Sequence, residues 1–171
     1  MYRRCRLFSE TAGRNGRIIS DELRKKVMDD PKTDKSINNI KLGHYFDYIE
    51  IESDYLINLL YKVIEKIINS GFQQELVLGS IIERKTNADE PGEVTIDNDI
   101  IIDSEQLKKY EDDVAMALIA HELAHSFLKH YENWGKGLEN EYEADNLAKE
   151  WGFDVDKFRK ACGPPTVPDF S

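Results

Sequence analysis

The sequence contains little cysteine and no long apolar run, and both absences exclude classes of protein. Its two cysteines, Cys5 and Cys162, are far apart and give neither a disulfide framework nor a C-x-x-C metal site. No segment approaches the roughly 20 apolar residues of a membrane span, and the basic N-terminus lacks the apolar core of a signal peptide. We therefore expect a soluble protein without a membrane span, located in the cytoplasm.

Basic residues are also fewer than acidic residues in this sequence. The 171 residues include 23 Lys and Arg against 33 Asp and Glu, which gives a formal net charge of −10 at pH 7. Such a chain has no general attraction for nucleic acid or for anionic lipid, and we expect neither as a partner. Residues 1–19 are the exception, because they form an arginine-rich basic arm, and a helix is predicted to follow at residues 20–30. Residues 20–171 suffice for a single domain.

One short motif carries most of the functional information. Residues 121–125 read His-Glu-Leu-Ala-His inside a run, residues 112–131, whose Ala, Leu and Met favour a helix. Residues four apart share one face of a helix, so His121 and His125 can direct two imidazole nitrogens at a single metal ion. Glu122 points about 100° round the helix and is well placed to accept a proton from a water on that metal. The alternative is a pair of histidines on a polar helix face without metal.

An acidic segment follows the glycines that break this helix. Residues 138–151 predict a second helix, whose first turns carry Glu139, Glu141, Glu143 and Asp145. Because the connection is short, the second helix must pack back on the first, and one of these carboxylates can reach the metal. Glu141 and Asp145 are four apart, so one can bind the metal while the other holds a ligand histidine by its second nitrogen. The alternative is a solvated acidic face at a helix N-terminus.

The two motifs together resemble those of the gluzincin clan of zinc metallopeptidases. His-Glu-Leu-Ala-His followed by Glu-Tyr-Glu-Ala-Asp is similar to the motifs of the HtpX and CAAX-protease group and of the soluble minigluzincins. The second motif also resembles E-x-x-A-N of the ImmA/IrrE group. The resemblance covers about a third of the chain. It implies one zinc ion bound by His121, His125 and Glu141, with Glu122 as catalytic base and Asp145 orienting a ligand histidine.

The resemblance implies a zinc-dependent peptidase that hydrolyses peptide or protein substrates. Glu143 is the alternative third ligand. The reaction needs a donor that stabilises an oxyanion, and Tyr131, Tyr142 and His130 are the candidates. The alternative function is a non-catalytic or self-inhibited zinc-binding regulatory module with a peptidase-like fold. In the self-inhibited form, the basic arm or the C-terminal tail would cover the cleft.

The periodicity of the remaining chain predicts an α+β domain. Apolar residues recur at helical spacing over residues 53–69. Residues 75–85 are rich in β-formers, with a bulge expected at a glycine, and short strands are predicted at 93–96 and 100–103. A short helix is predicted at 154–161. We therefore expect a minimal zincin-like metallopeptidase domain, with a small mixed sheet, packed helices and a helix that carries the His-Glu-x-x-His motif.

The predicted sheet should have one edge strand beside the cleft. Either Val94–Ile96 or Ile100–Ile102 could fill this position and pair with an extended peptide. For Ile100–Ile102, a buried interior strand is the simpler interpretation. Few residues follow the second helix, so we expect a shallow cleft, open on one side or completed by a partner chain or a second copy of this chain.

Overall fold

A computed structural model of the protein describes residues 42–72, 76–86, 91–133 and 136–165. The predicted basic arm at residues 1–19 and the helix predicted at residues 20–30 lie outside the described residues. Within the described ranges, no helix is both long enough and apolar enough to cross a membrane.

The described residues form an α+β domain in which helices pack on a small mixed sheet, which confirms the predicted fold class. The strands and helices, in chain order, are β1 (Ile49–Glu50), α1 (Asp54–Ile67), β2 (Ser80–Glu83), β3 (Gly92–Val94), β4 (Asp99–Ile102), α2 (Ser104–Leu107), α3 (Asp112–Phe127), α4 (Leu138–Glu150) and α5 (Val155–Cys162). Short 3-10 turns at Leu42–His44 and His130–Glu132 supplement them.

The sheet has the strand order β1-β2-β4-β3. Strands β1, β2 and β4 are parallel, and β3 is antiparallel to β4, with Val94 opposite Ile100. Strand β4 therefore lies in the interior of the sheet, and its residues Ile100–Ile102 are fully buried. Of the two segments that could have formed the edge, the one that includes Val94 does so, and Ile100–Ile102 is the buried interior strand.

Helix α1 supports the sheet from one side. It begins after Ser53, whose hydroxyl accepts a hydrogen bond from the Leu56 N–H at 3.1 Å. Its apolar stripe is at most 1% exposed, and burial of each large aliphatic side chain stabilises the fold by about 1.5–3 kcal/mol. Beyond the helix end, Gly71 adopts a φ of 101°, which favours glycine and turns the chain away. The helix predicted at residues 53–69 is thus confirmed.

Helix α3 lies at the centre of the domain and is buried on nearly every side. It packs on α1, α4 and α5 and on strands β3 and β4. Its buried residues include the polar His121, Glu122, His125 and Ser126. The helix ends at Phe127, four residues before the predicted end, because Lys129 adopts a left-handed conformation with φ 58° and ψ 38°. Consequently, the residues that follow form a separate turn rather than another turn of helix.

Gly79 allows β2 to approach α3 and the β3–β4 turn closely. A Cβ atom at this position would lie 1.9 Å from the backbone oxygen of Asn98. The Gly79 N–H also donates a hydrogen bond to Ser126 Oγ at 2.9 Å, which ties the start of β2 to α3. Close approach of another backbone therefore accounts for this glycine, at which the sequence predicts a bulge.

We expect Gly79→Ala to lower the free energy of unfolding by about 1–3 kcal/mol, because a backbone atom rather than a flexible side chain must move. Urea denaturation followed by circular dichroism measures the change. Gly43→Ala is the matched control, since a Cβ there meets no atom within 4 Å. Equal stability of the two variants would contradict the close approach.

Candidate metal centre

Two histidines of α3 and one glutamate of α4 converge on a single point. His121 Nε2 and His125 Nε2 are 3.0 Å apart. Glu141 Oε2 lies 3.3 Å from His121 Nε2, and Glu141 Oε1 lies 3.3 Å from His125 Nε2. Both histidines are only 3% exposed. Because one ligand atom of each residue falls within 4.8 Å of the others, the three side chains form a group that could hold a metal ion.

The geometry follows from the spacing of the residues and from helix packing. His121 and His125 are one turn apart on α3 and therefore share a face. Helix α4 makes its most extensive contacts with α3, and Glu141 lies in the first turn of α4. Glu143, the alternative third ligand, is not part of the group; its carboxylate lies 3.1 Å from His130 Nε2 instead.

The second nitrogen of His121 faces another carboxylate of α4. His121 Nδ1 lies 3.0 Å from Asp145 Oδ1, which is ion-pair distance, although the two atoms are not aligned for a hydrogen bond. Asp145 is in turn held by Arg159 of α5, whose Nε and Nη2 donate at 2.8 Å and 2.9 Å to its two oxygens. Such bidentate pairs fix both partners. Asp145 therefore lies next to the second nitrogen of His121, and its role in orienting a metal ligand stays a prediction.

Arg159 is the site residue that the sequence analysis missed. Its Nη2 also lies 3.2 Å from Glu141 Oε2 and 3.4 Å from His121 Nε2. Its side chain is 19% exposed. No sequence signal identifies it, because only the packing of α5 on α3 and α4 brings it near its partners. Its positive charge offsets part of the negative charge of Glu141 and Asp145.

The surroundings of His121 and His125 shift the pKa values of the two imidazoles in opposite directions. Burial disfavours the charged form of His121, but its contacts with Asp145 and Glu141 outweigh burial and raise its pKa to about 9. Burial lowers the pKa of His125 to about 4, and the charge of His121 acts in the same direction. Burial opposes the ionised form of Glu141, yet hydrogen bonds with both imidazoles hold its pKa well below the usual range.

The second nitrogen of His125 faces another histidine. His130 Nδ1 lies 2.9 Å from His125 Nδ1, on the side opposite the ligand group. A cavity lies beside the group of His121, His125 and Glu141, and none of the three described residues His130, Tyr131 and Tyr142 lines it. Tyr142 is 55% exposed. The three candidate oxyanion stabilisers therefore lie outside the lining of this cavity, although His130 contacts His125.

A cavity of about 300 Å³ opens in front of the ligand group. Its walls are residues 91–96, which include the edge strand β3, together with Leu118, His121, Glu122, His125, Glu141, Phe158, Arg159 and Cys162. Glu122 is 8% exposed. A Cβ atom on Gly92 would lie 2.8 Å from Glu122 Cγ and 3.1 Å from its Oε1, so the glycine allows the edge strand to lie directly against this carboxylate.

No protein-family model, no curated protein and no solved structure matches this chain. The resemblance to the gluzincin clan therefore rests on the two sequence motifs and stays a hypothesis.

Proposed function

We propose that the protein is a zinc-dependent peptidase of the gluzincin type, which binds one zinc ion through His121, His125 and Glu141. The observation that carries this proposal is the position of Glu122. Its carboxylate lines the same cavity as the three ligand side chains, and the edge strand β3 lies against it. Hydrolysis of a peptide needs a metal site, a general base and a surface that holds the substrate. The three possible ligands, the buried Glu122 and the outer edge of β3 lie around one cavity and could meet these needs.

The donor set favours zinc. Two imidazoles and one glutamate are the protein ligands of His₂Glu catalytic zinc sites, which leave a fourth position for water or substrate. When bound, zinc supplies Lewis acidity, which lowers the pKa of water and polarises a carbonyl group. His125 suits this role as a neutral imidazole, because burial holds its pKa at about 4.

Glu122 acts as the general base in this proposal. Its carboxylate oxygen accepts a proton from the attacking water and then gives it to the leaving amine. Asp145 orients His121 by accepting from Nδ1–H, which leaves the Nε2 lone pair for the metal. Arg159 fixes Asp145 in place through two donors. Each residue thus has a role that its contacts support.

The edge strand supports a peptide as the substrate. Strand β3 ends the sheet of the described residues and has a strand partner on one side only. Its residues also form one wall of the cavity. An extended chain that pairs with such an edge is held by main-chain hydrogen bonds and lies across the metal ligands. Recognition by the backbone would make the enzyme tolerant of side-chain sequence outside the cavity.

The ligand set is tested by the zinc content of purified variants. We expect about one zinc per chain in the wild type and a loss of bound zinc in His125→Ala and Glu141→Ala, because each removes one of three protein ligands. Elemental analysis measures the content. Glu139→Ala is the matched control, since Glu139 is an exposed acid of the same helical turn that pairs with Lys136. Full zinc content in Glu141→Ala would rule out this third ligand.

The general base is tested by Glu122→Gln. We expect this variant to keep its zinc and to lose activity by about 10²- to 10⁴-fold, the usual contribution of a general base. Cleavage of a mixture of unstructured peptides, read by mass spectrometry, measures activity. Glu139→Gln is the control with the same change of charge. A wild type that binds zinc and cleaves no peptide would favour the regulatory module over the enzyme.

The pKa values of the proposed ligands predict that zinc binding releases a proton. His121, with a pKa of about 9, carries a proton at pH 7 that must leave before Nε2 can bind a metal. His125 and Glu141 are already deprotonated at this pH, so we expect release of about one proton. The number should fall toward zero as the pH rises through 9. Calorimetric titration in buffers of different ionisation enthalpy measures it, and zinc binding without proton release at pH 7 would contradict the assignment.

A further inference from the structure

We propose that His130 and Glu143 are positioning residues, which fix the tautomer of His125 so that its Nε2 lone pair faces the metal. The inference rests on the proposed zinc site and concerns a pair that the reaction itself does not use. His130 is 4% exposed, and both of its ring nitrogens have partners. Nδ1 lies 2.9 Å from His125 Nδ1, and Nε2 lies 3.1 Å from Glu143 Oε2.

The proton positions along this chain follow from the acid at its end. An ionised carboxylate only accepts hydrogen bonds, so the Nε2 of His130 that faces Glu143 must carry a proton. A neutral imidazole has one N–H, which makes His130 Nδ1 the acceptor. His125 Nδ1 must then be the donor across the 2.9 Å contact. The only remaining lone pair of His125 is on Nε2, the atom that faces Glu141 and His121.

The backbone conformation after helix α3 places His130 next to His125. Helix α3 ends at Phe127, and the left-handed Lys129 reverses the chain into the turn that contains His130. Continued helix would have carried residue 130 away from His125, because five residues correspond to 500° of rotation at about 100° each. The Asn140 side chain also donates to the Asn133 carbonyl at 2.9 Å and ties the end of the turn to α4.

Helix α4 therefore supplies an acid on each side of the His125 imidazole. Glu141 faces Nε2 directly, whereas Glu143 acts on Nδ1 through His130. A separation of two residues corresponds to about 200° of rotation on a helix. Glu141 and Glu143 therefore project from α4 in different directions and reach opposite sides of the same imidazole. The other ligand histidine has a carboxylate, that of Asp145, next to its second nitrogen. The second nitrogen of His125 instead faces the imidazole of His130, and the carboxylate of Glu143 lies on the far side of that imidazole.

The tautomers of the full-length protein without added metal test the inference directly. Two-bond ¹H–¹⁵N correlation spectra of the histidine rings distinguish Nδ1–H from Nε2–H. We expect His125 as the Nδ1–H tautomer and His130 as the Nε2–H tautomer. Glu143→Ala should redistribute both toward a mixture, whereas Glu139→Ala, on the same helix, should leave them unchanged. Wild-type His125 in the Nε2–H form would overturn the inference.

Zinc affinity provides the second readout. We expect His130→Phe, which removes the acceptor, to raise the zinc dissociation constant about 10- to 100-fold, the usual effect of losing a residue that orients a ligand. His130→Gln keeps an amide oxygen that can accept from His125 and an NH₂ that can donate to Glu143, so it should restore most of the affinity. Competition with a chelator measures both. Wild-type affinity in His130→Phe would overturn the inference.

The two proposals fail in different ways. A wild type that binds no zinc would overturn the proposed function, but the tautomers without metal would still show whether Glu143 and His130 set the proton of His125. A zinc-binding wild type whose tautomers do not respond to Glu143→Ala would overturn only the positioning role.

Discussion

The burial of two imidazoles and a carboxylate within 3.0–3.3 Å of one another is the constraint on which the rest of the site depends. Polar groups removed from water lose hydration, and only bonded or charged partners offset that loss. The polar residues that contact the group act as such partners. Arg159 and Asp145 stabilise His121 from one side, and His130 stabilises His125 from the other.

The fold meets this constraint by placing the motif on its most buried helix. Helix α3 is surrounded by α1, α4, α5 and the β3–β4 end of the sheet, so its position is fixed by apolar packing on several sides. The same burial restricts the motion of His121 and His125, as the proposed metal site would require. The side of α3 that faces β3 lines the cavity, and there Gly92 allows the strand to lie close to Glu122.

The sequence predicts what depends on local spacing and misses what depends on the path of the chain. The four-residue spacings of His121 and His125 and of Glu141 and Asp145 are helical, so the relation within each pair could be read directly. The position of Arg159 depends on how α5 packs, and that of His130 depends on the left-handed Lys129, a conformation that the residue type does not favour. Neither has a local signature. The interior position of Ile100–Ile102 was readable because an unbroken apolar run is typical of a buried strand.

Charge balance also bears on the proposed metal site. The buried or nearly buried charged side chains next to His121 and His125 are the carboxylates of Glu122, Glu141 and Asp145 and the guanidinium of Arg159. With all four ionised, three negative charges and one positive charge leave a surplus of two negative charges. A proton on His121, whose pKa is raised to about 9, offsets only one of them. In the proposed zinc site, an ion that displaces this proton would offset both charges, so the electrostatics of the surrounding residues are compatible with a divalent cation.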